Sequence, residues 1–182
     1  MKIVLTACLA LSVCICGNAQ QTSAKEISIN EAKLTKQLNE LLEHAQTGFE
    51  KIKGEPDKKL KEELGFTGDS YYKTTQAVDG SVEKYIEVRK SSKTVSFKAY
   101  FGKNMKGYSG KDLFKKMADL LKKNFTDGFN VTANSELMMG DYYETLRIQK
   151  TNDTNHYAEL TLSEVDNTES IVIDVYLIIY WT

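Results

Sequence analysis

The sequence predicts an α+β fold: two tandem α-β-β-β units whose strands join in one antiparallel sheet, with the helices packed on one face. Three observations carry that expectation. Two amphipathic helical stripes, each opened by a capping sequence, are each followed by runs of strict period-two alternation. The connections between those runs are short and polar, with the turn chemistry of meanders. A short marker, Gly68-Asp69-Ser70-Tyr71-Tyr72, returns as Gly140-Asp141-Tyr142-Tyr143, at an offset of 71 or 72 residues according to where the extra Ser70 is placed.

The first helix is expected to open at Ser28, where Ser28 and Glu31 have the spacing of a capping box. Leu34, Leu38, Leu41, Leu42, Ala45, Phe49 and Ile52 then form one apolar stripe, which Gly54 and Pro56 should end. From Ser28 to Gly68 is 40 residues, against 31 from Ser109 to Gly140, and the surplus fits a short second helix near 57–64. After the first marker, Val82, Ile86 and Val88 alternate with Glu83, Tyr85, Glu87 and Arg89; Val95, Phe97, Ala99 and Phe101 alternate with Ser96, Lys98 and Tyr100. The next helix begins at Ser109-Gly110-Lys111-Asp112, carries Leu113, Phe114, Met117, Leu120, Leu121 and Phe125, and closes at Gly128.

In the second unit, strands are expected at 142–149, at Tyr157 to Ser163 with Ala158, Leu160 and Leu162 inward, and at 171–181. That last run is apolar on nearly both faces and reads as a central strand. Six strands result, three per unit. A unit of this size is marginal alone, and joining two meanders edge to edge hides edges that would otherwise template aggregation. The chain therefore divides into 1–19, 20–27 as a short tail, and the units 28–107 and 108–182 in one compact domain.

Residues 1–19 have the layout of a secretory signal peptide: Lys2, an apolar run over 3–15 broken only by Thr6 and Ser12, then Gly17-Asn18-Ala19 before a cut that leaves Gln20 first. The run is shorter than the roughly 20 residues that span a bilayer, so the mature chain is expected to have no transmembrane helix. Cys8, Cys14 and Cys16 all lie within this segment, so cleavage removes every thiol and with it disulfides, a thiol nucleophile and Cys-ligated metal. The alternative is a lipoprotein anchored at Cys14 or Cys16. Val13 and Ile15, however, are large where a lipoprotein signal carries a small residue. A secreted or periplasmic location is the expectation.

The chemistry-bearing motifs are few. His44 and His156 are separate, one on the first helix and one in a polar turn, which does not suit a zinc site. Asp153-Thr154-Asn155 and Asp166-Asn167-Thr168-Glu169 lack the spaced ligands and central Gly of a calcium loop. There is no nucleophile elbow, phosphate-binding loop or paired-His zinc motif. Glu62-Glu63 sits among lysines as a solvated helix face, and Asp69 and Asp141 read as strand-start residues that bond backbone amides. No catalytic residue, metal or cofactor is assigned. A net charge of −1, with 24 Lys+Arg and 25 Asp+Glu, gives no field for nucleic acid. Residues 25–107 hold 16 Lys+Arg and 13 Asp+Glu, whereas 108–182 hold 7 and 12, so the two ends differ in sign.

All ten tyrosines follow residue 70. Tyr85, Tyr100 and Tyr157 alternate with apolar neighbours and are expected on the polar face of the sheet, where a rigid ring with a polar tip suits a protein contact. Tyr71, Tyr72, Tyr142 and Tyr143 belong to that face or to the core. The Ala19-Gln20 junction resembles exported proteins of Bacteroidota. The two helix-plus-meander units are similar in element order and repeat length to the β-lactamase-inhibitor proteins and their small envelope relatives. That resemblance implies an inhibitor or immunity-type role toward a protein partner; it carries over no site residue. A non-enzymatic binding module is the expected function. The alternatives are a carrier of a small apolar ligand, which needs an internal pocket, and a hydrolase with two converging carboxylates.

Overall fold

The first apolar stripe folds as α1 (Glu31–Ala45), with Leu34, Leu38, Leu41, Leu42 and Ala45 buried. Its cap is Asn30, two residues later than the capping-box reading: the Asn30 side chain accepts from Lys33 N–H at 3.0 Å. Asn30 wins because its own N–H is already engaged, donating to Asp79 Oδ2 at 2.7 Å. Asp79 also pairs with Lys33 at 2.8 Å, and its N–H donates to Gln37 Oε1 at 2.7 Å. One loop carboxylate thus pins the start of the helix, and Lys33 holds its acid constant below the ordinary value.

The computed structural model describes residues 28–64, 68–106, 108–138, 141–167 and 170–181. Residues 1–27, where the signal peptide and tail are expected, and Gly140 of the marker lie outside the described residues. After α1 come β1 (Lys53–Pro56), α2 (Lys58–Leu64), β2 (Ser70–Thr74), β3 (Glu83–Arg89) and β4 (Thr94–Lys106); then α3 (Tyr108–Asn124), β5 (Phe129–Met138), β6 (Asp141–Lys150), β7 (His156–Asn167) and β8 (Ser170–Trp181). All eight strands form one antiparallel sheet in the order β1-β2-β3-β4-β8-β7-β6-β5. The fold class is the expected one, but each half has four strands where three were predicted.

The two unforeseen strands are β1 and β5, the sheet's two edges. Gly54 and Pro56 do not end a helix: α1 stops at Ala45, and Gly48 and Phe49 turn the chain through left-handed conformations with φ of 61° and 62°. Phe49 and Ile52 still reach the core, so their helical spacing comes from a turn that drops them into the same apolar layer. The short α2 lies where the surplus length placed it, with Asp57 accepting from Leu60 N–H at 3.1 Å.

One core fills the space between the sheet and the helices α1 and α3. It contains Leu34, Leu41, Met117 and Leu121 from the helices, and Ile86, Phe97, Phe101, Leu146, Leu160 and Ile179 from the strands. Because β residues alternate, the intervening positions must point to the opposite face. The terminal run is central, as its two-sided apolar pattern predicts, with β8 bonded to β4 on one side and β7 on the other.

Both halves run helix, then meander, and meet through their last strands. Tyr71 and Tyr143, Tyr85 and Tyr157, and Glu87 and Glu159 each stand 72 residues apart and share one face of the sheet. Registers differ, however. Tyr71 lies opposite Glu87, whereas Tyr143 lies opposite Ser163 and not Glu159. Apart from α2, which only the first half carries, the halves agree in element order and facing, with a slip of four residues between their second and third strands.

Candidate functional site

The face of the sheet turned away from α1 and α3 carries Tyr71, Tyr85, Glu87, Arg89, Ser96, Lys98, Tyr100, Arg147, Tyr157, Glu159 and Tyr180, as the register requires. Its rings form two groups. Tyr71 meets Tyr85 edge-on at 5.9 Å between centroids, and Tyr85 stacks on Tyr100 at 6.3 Å. In the other half Tyr157 stacks on Tyr180 at 4.6 Å. Cations lie across the rings: Lys103 Nζ is 4.9 Å from the Tyr100 centroid, Lys98 Nζ 6.0 Å from that of Tyr85, and the Arg147 guanidinium 4.2 Å from that of Tyr157.

Every one of those cations is also tied to a carboxylate. Glu87 accepts from Lys98 at 2.9 Å and from Arg89 at 3.1 Å. Glu159 accepts from both Arg147 Nε at 3.2 Å and Arg147 Nη2 at 2.9 Å; Lys103 pairs with Glu83 at 2.8 Å. The acids lie beneath and the cations above. The Glu87, Glu159 and Glu83 side chains are 3%, 17% and 33% exposed, while Arg89, Arg147 and Lys103 are 48%, 46% and 41% exposed. In each of these pairs the cation is the more exposed member.

Burial resists ionisation of Glu87, but Lys98 and then Arg89 outweigh it and hold the carboxyl below its ordinary range. Burial raises the Tyr85 and Tyr180 hydroxyls above theirs, with neighbouring tyrosine and glutamate charges adding to the effect. Glu83, Glu87 and Glu159 are each engaged by a cation on this face. Among the described residues, no three His, Cys, Asp or Glu side chains gather as a metal-binding group.

The sequence-derived candidates separate as follows. Tyr100 and Tyr157 sit half-buried on the helix-free face, as expected. Tyr85 lies there too, but it is 3% exposed and acts as the floor on which Tyr71 and Tyr100 pack. Tyr71 and Tyr143 share this face. Tyr72 packs against the core on the other, and the Tyr142 hydroxyl donates to Glu144 on that side at 3.0 Å. Gly68 adopts φ of 99°, a conformation that only glycine takes cheaply, and Asp69 accepts from Lys90 N–H at 3.3 Å, tying strand β2 to the end of β3. Asp141 opens β6, opposite Met138. His156 is held in its turn by Asp153, whose carboxylate lies 2.8 Å from Nδ1.

Tyr180, Arg147, Arg89 and Lys98 were missed as a group. Tyr180 was hidden inside the run 171–181, whose apolar content masked the period of two; counting alternate positions along β4 from Tyr100 to Ser96 and across to β8 recovers it. A groove of about 450 Å³ lies between α3 and strands β5 and β6, lined by Phe114, Ala118, Lys122, Ala133, Tyr142 and Glu144. It opens to solvent instead of lying inside the core. No helix among the described residues is long and apolar enough to cross a membrane. No protein-family model, curated protein or solved structure matches the chain.

Proposed function

We propose that this chain is an exported, non-enzymatic binding module whose helix-free sheet face holds a protein partner. The observation that carries the reading is the layer of half-exposed Tyr100, Tyr157 and Tyr180 rings set beside the exposed ends of Arg89, Arg147 and Lys103. Rings with few rotamers lose little entropy on binding, and arginine beside tyrosine is the commonest make-up of energetic interface centres. With the carboxylates beneath already neutralised, the complementary surface is acidic with apolar margins. The layout that resembles β-lactamase-inhibitor proteins supports an inhibitor or immunity-type role, and the signal-like residues 1–19 support an envelope or extracellular site of action.

The experiment is capture from envelope and culture fractions with the wild-type chain and with a Tyr100→Ala/Tyr157→Ala/Arg147→Glu variant, followed by affinity measurement on the captured protein. The expected result is a partner bound at least about 100-fold more weakly by the variant, two hot-spot truncations and a charge reversal together exceeding 2.7 kcal/mol. Equal binding by a folded variant overturns the reading.

A further inference from the structure

We infer that β5 is a self-pairing edge, through which two copies of this chain join their sheets about a two-fold axis. The two edges of the sheet differ in kind. β1 has four residues, an irregular register and Pro56, with Lys53 and Glu55 beside it, the usual means of blunting an edge. β5 runs for ten residues in unbroken register with β6, without proline or lysine, and carries one charge, Glu136. All but Phe129 and Val131 of its odd-numbered positions are exposed, and Leu137 and Met138 are 74% and 50% exposed, unusual for large apolar side chains. The helix α3 sits inward of this strand across an open groove, and among the described residues no strand pairs with the outer side of β5.

The backbone specifies which groups are offered. Gly128 C=O accepts from Thr151 N–H, so alternation turns the even-numbered residues of β5 toward β6 and leaves Val131, Ala133, Ser135 and Leu137 facing outward. Phe129 N–H is already spent on Thr126 C=O. An antiparallel pairing centred on Asn134 matches those four residues with themselves: Val131 against the second copy's Leu137, and Ala133 against the second copy's Ser135. Each apolar side chain at the ends then meets an apolar one, Glu136 meets the second copy's Thr132, and no like charges face each other. A foreign strand would need no such palindrome, which favours a second copy. An edge roughly 34 Å long buries less than the about 1,200 Å² of stable interfaces, so the dimer is weak and concentration-dependent. It leaves both helix-free faces directed to the same side, and it does not depend on what those faces bind.

Sedimentation of the chain purified from expressing cells, over a thousandfold range of concentration, tests this. The wild type should pass from monomer to dimer, while Leu137→Lys and Ala133→Pro should remain monomeric at every concentration with unchanged circular dichroism. The proline is tolerated because the lost N–H points away from β6. In a chain carrying Cys8→Ser, Cys14→Ser and Cys16→Ser, Asn134→Cys should cross-link to itself under mild oxidation, its two Cα atoms being about 4.5 Å apart at a non-hydrogen-bonded pair. Thr132→Cys, facing the second copy's Glu136, should not. A wild type that stays monomeric, variants that dimerise like it, or cross-linking at Thr132→Cys but not at Asn134→Cys would each overturn the inference.

Discussion

Removing Lys98 should cost this protein more than any other exposed-face substitution, and the cost should shrink in acid. Glu87 is 2% exposed, and its two cationic partners are unequal: Lys98 is 13% exposed, whereas Arg89 is 48% exposed and largely screened by water. Breaking a buried ion pair from one side typically costs about 3–5 kcal/mol, because the surviving charge stays desolvated. Arg89 still neutralises part of that charge, so we expect Lys98→Met to destabilise by about 2–3 kcal/mol at pH 7, a melting decrease on the order of 5–10 °C for a chain of this size. Glu87 has a depressed acid constant in the folded state, so its contribution is present above the unfolded carboxylate range and is lost as pH falls through and below it. Without Lys98 the carboxyl can protonate instead, and the gap between variant and wild type should narrow between pH 7 and pH 3.5. Urea denaturation at several pH values measures both quantities, and Glu87→Gln in the Lys98→Met background should recover most of the loss at pH 7. A Lys98→Met penalty below about 0.5 kcal/mol, or one independent of pH, would show that water reaches Glu87 and that the layered arrangement of acid beneath cation is wrong.

The helix cap separates two readings of the same segment: Asn30→Ala should destabilise by about 1 kcal/mol, and Ser28→Ala by almost nothing, in thermal melts. Tyr85 and Tyr180 have raised acid constants, so the folded state favours their neutral form; stability should hold below about pH 10 and fall above it as the unfolded chain ionises. Absorbance at alkaline pH should accordingly show at least these two of the ten tyrosines ionising only together with the loss of circular dichroism. Gly68→Ala, at φ of 99° with open space around the added methyl, should cost about 1–2 kcal/mol from backbone strain alone, and Gly68→Asn less, as calorimetry can resolve.

The elements legible in the sequence are those whose side chains change environment every second or every third to fourth residue. Phe97 and Phe101 against Lys98 and Tyr100, or Leu38, Leu41 and Ala45 along α1, are forced into period by a core on one side and water on the other. β8 was legible by its nearly continuous apolar run, and it lies at the centre of the sheet between β4 and β7. β1 and β5 obey neither rule. From Thr132 onward every residue of β5 is exposed, so Thr132, Asn134 and Glu136 give no contrast with Ala133 and Ser135. Tyr85 shows the same limit from the other direction. Its alternation put it on the correct face, but only the neighbouring Tyr71, Tyr100 and Lys98, brought in from two other strands, bury it there.

The same logic explains why the proposed binding chemistry is visible in the sequence and the proposed pairing chemistry is not. A face proposed to recognise a partner through side chains places Tyr85, Tyr100 and Tyr157 at alternating strand positions, and that leaves a trace in composition and spacing. An edge recognises through its N–H and C=O groups, which every residue but proline possesses. Its sequence signature is therefore what has been left out: no Pro, no Lys and no bulge along Phe129–Met138, where β1 has Pro56, Lys53 and an irregular register within four residues. Two edges of one sheet, exposed to the same solvent, would carry the same protection if both had to stay unpaired. That only one of them does is the physical argument that the other is meant to be met.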